Sequence, residues 1–162
     1  MKILGKKSLA TVIKIFLWIL LTICLVVVIM GGIVVIKDFS FFNTTNTLRS
    51  LIVLYLSSWP AAILIVQFIG IFRSLENNDI FDKQNLKRLR VSYISSVIMG
   101  LMYLINSIML FFSSEDESWI IIYILLTYVI TLVFLIFGVG LIVLSEIYRK
   151  AIKYKEENDL TI

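Results

Sequence analysis

The side chains that could do chemistry in this chain are few, and their types decide much. Among 162 residues there is no histidine and one cysteine. That removes imidazole acid–base catalysis, His-ligated zinc or haem, the Cys-His nucleophile pair and any disulfide within the chain. Neither a cofactor nor an enzymatic activity is expected. The polar residues that stand out are spaced for contact instead. Lys83, Lys87 and Arg90 fall at i, i+4 and i+7, one basic stripe with Arg88 beside it. Such a stripe suits anionic lipid headgroups or an acidic protein surface. Gln67 and Asn106 are the strongest polar groups inside long apolar stretches, where they are expected to hydrogen-bond between helices. Ser92, Ser96 and Gly100 recur every four residues, a spacing that lets another backbone come close and places their helix centrally.

The elements that must carry these residues are set by composition. Apolar residues make up 60% of the chain, against 15 basic and 11 acidic ones, and the mean hydropathy is +1.00. A soluble domain of this size could not cover its surface with so few charges, whereas lipid asks for none. Four stretches lack any charge: residues 15–36, 50–72, 91–112 and 119–145. Each reaches roughly 33 Å or more as a helix, against a hydrocarbon core of about 30 Å. Their apolar residues run continuously, without the period-2 alternation of a barrel strand. The expected fold is therefore all-α, an integral membrane four-helix bundle in one domain. The first stretch exceeds the apolar core of a secretory signal and continues past Gly31-Gly32, so it reads as an uncleaved helix. With no charge at mid-membrane depth, proton-coupled transport by a buried carboxylate is disfavoured.

Orientation follows from Lys and Arg. Thirteen of them lie in the N-terminus, in the 73–90 loop and in the 146–162 tail, against Lys37 and Arg49 on the other side. The positive-inside rule places both termini and the 73–90 loop in the cytoplasm. The acidic turn Glu115-Asp116-Glu117 then faces outward, and Trp119 suits an interfacial belt, while Trp59, nine residues into its span, is expected to pack on a neighbour. Pro60 should kink the second span, Ser57 or Ser58 meeting the freed carbonyl. Cys24 reads as a small apolar filler.

In the loop, Asp82 is placed to cap a helix with its carboxylate, and Phe81 with Leu86 forms a hydrophobic staple, so that a helix begins near Lys83 and runs unbroken into the third span. The fourth span should continue as a helix into the tail, with Glu146 paired to Arg149 or Lys150 and Lys153 to Glu157. Fraying is expected at Asn158-Asp159, leaving Leu160, Thr161 and Ile162 as a short apolar end.

The segments 71–75 (IFRSL), 80–90 (IFDKQNLKRLR) and 155–162 (KEENDLTI) carry a resemblance. With them the chain resembles a bacterial family of four-helix membrane proteins, domain of unknown function 2975, in span order and loop length. The resemblance implies no catalytic residues. It implies a partner, a small helix-turn-helix DNA-binding protein of the repressor type, with no direct nucleic-acid binding by the membrane chain itself. The candidate contact residues are Lys83, Lys87, Arg88, Arg90, Asp159, Leu160, Thr161 and Ile162. The reading that follows is a tether or sensor in the bacterial cytoplasmic membrane, in contact with lipids and with such a regulator. Immunity against membrane-active peptides is an alternative, and a transporter or permease subunit a weaker one.

Overall fold

The computed structural model describes residues 6–37, 46–77, 82–112 and 118–159, and the regular structure among them is helical throughout. The helices are α1 (Lys6–Lys37), α2 (Asn46–Glu76), α3 (Lys83–Phe111) and α4 (Ser118–Asp159). All four are long and apolar enough to cross a membrane. Unbroken helices are what lipid demands, because each backbone N–H and C=O must find its partner within its own segment. The protein is an all-α, four-helix membrane bundle.

Each helix packs on the next in chain order, and consecutive helices are antiparallel. Lys14 near the start of α1 meets Glu76 at the end of α2, and Lys83 at the start of α3 meets Glu156 near the end of α4. The first turns of α1 and the last turns of α4 therefore share one end of the bundle, called here the basic end. Phe68 of α2 stacks on Phe137 of α4 at 6.0 Å, so α2, α3 and α4 close into a three-cornered unit. Its apolar core is Ile71, Leu89 and Leu141, with Phe68, Tyr93 and Tyr148 packed around it. Helix α1 lies against α2. Cys24 donates to the Ser58 carbonyl at 3.1 Å, and Gly31 makes room for the Tyr55 ring, which a β-carbon there would meet at 2.5 Å. Phe16, Trp18, Ile19 and Ile23 on α1 are exposed, as lipid-facing side chains are.

The interior is unusually polar. Ser57 and Ser58 on α2, Ser92, Ser95, Ser96, Asn106 and Ser107 on α3, and Thr127 and Thr131 on α4 are all buried. In a bilayer the lipid is as apolar as leucine, so helices associate through small side chains, close backbones and hydrogen bonds. Ser96 donates to the Phe134 carbonyl at 2.7 Å, Ser107 to Thr127 at 2.8 Å, and Ser57 lies 3.1 Å from the Tyr103 hydroxyl. Gly100 faces α4, where an added β-carbon would stand 2.9 Å from Leu135 Cδ2. Gly100→Ala should therefore cost about 1 kcal/mol as Leu135 is pushed aside. Leu101→Ile, on the exposed side of the same turn, should leave the detergent melting temperature unchanged.

Several local expectations are corrected. Trp59 is 55% exposed and does not pack on a neighbour: the buried Ser57 and Ser58 take the inward face, and the next residue, about 100° further round, looks to lipid. Helix α2 runs through Pro60, but the hydroxyls of Ser57 and Ser58 bond the carbonyls of Leu54 and Tyr55. The carbonyl that Pro60 frees belongs to Leu56, one residue further along. Asp82 does occupy the N-cap position, with extended backbone (φ −112°, ψ 145°), yet its side chain makes no capping bond. Its carbonyl instead accepts from the amides of Asn85 and Leu86. Asn106 is fully buried, but neither its Nδ2 nor its Oδ1 has a hydrogen-bond partner, so the expected interhelical bond is not formed. Phe81, the 113–117 turn and residues 160–162 lie outside the described residues.

Candidate functional site

At the basic end, a polar link joins every pair of consecutive helices. Between α1 and α2, Lys14 Nζ lies 2.6 Å from Glu76 Oε2, and Thr11 donates to Glu76 Oε1 at 2.9 Å. This pair is largely shielded, its side chains 26% and 19% exposed. Between α2 and α3, the half-buried Arg88 turns inward. Its Nη1 lies 2.8 Å from the Gly70 carbonyl, 3.0 Å from Ser74 Oγ and 2.9 Å from Asn85 Oδ1. Gly70 is what admits it, since a β-carbon at that position would meet Arg88 Nε at 2.7 Å and Cζ at 2.8 Å. Between α3 and α4, Lys83 pairs with Glu156 at 2.8 Å. That pair is well exposed, and exposed ion pairs contribute little to stability.

Arg88 thus takes a different place from the other basic residues with which the sequence grouped it. Lys83, Lys87 and Arg90 are exposed along α3, whereas Arg88 shares a face with Asn85, Leu89 and Ser92, all buried. Of the packing residues, Ser92, Ser96 and Gly100 are buried. Ser92 Oγ has no hydrogen-bond partner. Gln67 is half-buried on α2 and takes no part in the bonds that link α2 to its neighbours. Asp159 ends α4; Leu160, Thr161 and Ile162 fall outside the described residues.

Two ion pairs lie within α4 itself. Glu146 holds Arg149 at 2.7 Å, and Lys153 lies 3.7 Å from Glu157, as the i+3 and i+4 spacings anticipate. Helix α4 continues to Asp159, 14 residues beyond Ser145, the last residue of its uncharged stretch. That extension is about 21 Å long and is not free-standing. Ile152 is buried, Lys83 clasps Glu156, and Tyr154 on the outer side is 66% exposed. No three carboxylate or thiol groups among the described residues come together as a metal site requires.

Glu76, Gly70 and Ser74 were not singled out from sequence. Gly70 and Ser74, four residues apart near the end of α2, carry the same small-residue signal as the stripe on α3 and would have marked the Arg88 seat. In a comparison across known families, residues 35–162 match the sequence pattern of DUF2975, described as a protein of unknown function. The chain belongs to the DUF2975 family. The DUF2975 match opens two residues before α1 ends and takes in α2, α3, α4 and the tail, so the three-cornered unit and its α4 extension lie wholly inside it. No curated protein and no solved structure matches the chain.

Proposed function

We propose that this DUF2975 protein is a non-enzymatic multi-pass protein of the bacterial cytoplasmic membrane, with both termini cytosolic. In this reading it tethers a small helix-turn-helix regulator through the ends of α3 and α4. Orientation rests on the thirteen basic residues of one side, and the class of partner on the family resemblance. The observation that carries the proposal is the braced extension of α4. A helix continued about 21 Å past its uncharged stretch, with Ile152 buried, Glu156 paired to Lys83 of α3 and a two-thirds exposed tyrosine among lysines, is a stiff platform. Aromatic anchors with a charged rim are what protein interfaces favour. Holding the regulator there lowers its concentration at DNA, and release restores it.

The test is co-sedimentation of a co-expressed regulator with membranes. Deleting residues 158–162 together with Tyr154→Ala should shift the regulator to the soluble fraction about ten-fold or more, the loss typical of an interface anchor. Insertion should be unaffected, because every uncharged stretch is intact. The combined change removes no basic residue, so electrostatic anchoring to lipid predicts no shift. A regulator that sediments equally well with the altered chain sinks the tethering reading.

A further inference from the structure

The exposed side of α3 forms one straight track. Ile94, Ile98, Leu101 and Ile105 are 44–56% exposed at spacings of four, three and four residues, while Leu89, Ser92, Ser96 and Asn106 on the opposite side are at most 2% exposed. From Ile94 to Ile105 the rise is about 16 Å, against roughly 15 Å for one leaflet of a 30 Å hydrocarbon core. The same stripe continues into Arg90 and Lys87, both exposed. Arg90 directly precedes the uncharged stretch and Lys87 lies about 4.5 Å further out, so both sit within a headgroup layer some 5–8 Å deep.

The other helices treat their basic residues at this depth differently. Lys14 on α1 is neutralised by Glu76, which Arg73 of α2 also approaches. On α4, Arg149 is held by Glu146. Arg90 and Lys87 have no carboxylate within ion-pair distance among the described residues, and the inward-facing Arg88 adds positive charge behind them. A guanidinium and an ammonium one helical turn apart can share a phosphate, the guanidinium binding two of its oxygens.

We propose that the outer face of α3 binds one anionic phospholipid of the leaflet at the basic end. Its phosphate lies between Arg90 and Lys87, and an acyl chain runs along Ile94, Ile98, Leu101 and Ile105. The inference needs the protein to sit in a membrane and is independent of any cytosolic partner.

The full-length chain, purified in a neutral detergent, is titrated with dioleoyl phosphatidylglycerol and separately with dioleoyl phosphatidylcholine, and bound lipid is counted by native mass spectrometry. The parent should retain one phosphatidylglycerol in preference to phosphatidylcholine. Arg90→Gln with Lys87→Gln should weaken phosphatidylglycerol retention about thirty-fold, five-fold or so for each cation lost at the surface, with phosphatidylcholine retention unchanged as the check on folding. Arg90→Lys, which keeps the charge and loses the forked donor, should fall between the two. Lys153→Gln with Lys155→Gln, beyond headgroup depth, should change nothing. The proposal is overturned if the Arg90 and Lys87 double variant keeps the preference, or if the Lys153 and Lys155 pair removes it equally. It also falls if inorganic phosphate competes at millimolar concentration, or if the face is covered in detergent by a second copy of the chain.

Discussion

Arg88→Ala is expected to lower the unfolding free energy in detergent by about 3 kcal/mol, the largest single-residue loss at the basic end. Hydrogen bonds to a charged donor contribute about 1.5–3 kcal/mol each, and Arg88 brings one donor nitrogen to the Gly70 carbonyl, Ser74 and Asn85 together. Nη1 carries two hydrogens, so it makes at most two full bonds, and the low end of that range applies to each because the guanidinium is only half-buried. Arg88→Lys should recover part of the loss: an ammonium carries three donors but ends one bond short of Nη1. Gly70→Ala should mimic Arg88→Ala, since the new methyl would occupy the space of Nε and Cζ. The decisive comparison is the double change. Once Arg88 is alanine, Gly70→Ala should cost nothing, and should even stabilise by up to about 1 kcal/mol through helix propensity. Chemical unfolding of the four proteins measures this coupling. Additive losses would mean that Gly70 and Arg88 act separately, and that the α2–α3 link is not the contact drawn here.

How these residues read before and after folding shows which physics a sequence exposes. The four helices were legible because lipid leaves one solution for a long uncharged stretch, and run length alone identifies it. The start of α3 at Lys83 and the continuation of α4 past Ser145 were legible from local signals, the residue at the cap position and the i+3 and i+4 charge pairs. The helix–helix chemistry was not. Arg88 stands in a run of basic residues and looks as solvated as its neighbours; only the register of α3 against α2, a tertiary property, turns it toward Gly70. Glu76 looked like an ordinary loop acid because its partner, Lys14, is 62 residues away. Trp59 was misplaced by the habit, sound in water, of burying large aromatics. In a bilayer the buried positions go to serine and threonine, and the indole goes to lipid.

Asn106 inverts the usual effect of a core substitution. Its amide is fully buried with both polar atoms unpartnered, and an unsatisfied buried group costs about 1–3 kcal/mol. Leucine has the same branching and the same number of heavy atoms, without the polarity. Asn106→Leu should therefore stabilise the protein by about 1–2 kcal/mol, the remainder being lost to the bulkier methyl groups. The adjacent Ser107 sets the contrast. It is also buried, but it donates to Thr127 at 2.8 Å, so Ser107→Ala should destabilise by about 0.6 kcal/mol, the average for such bonds in a membrane. Two neighbouring polar-to-apolar changes on one helix should thus shift the melting temperature in opposite directions. A fall with Asn106→Leu would show the amide to be bonded in the membrane-embedded protein. A rise would mark it as the polar group, within a helix held together by small residues and hydroxyls, that the packing of α3 does not require.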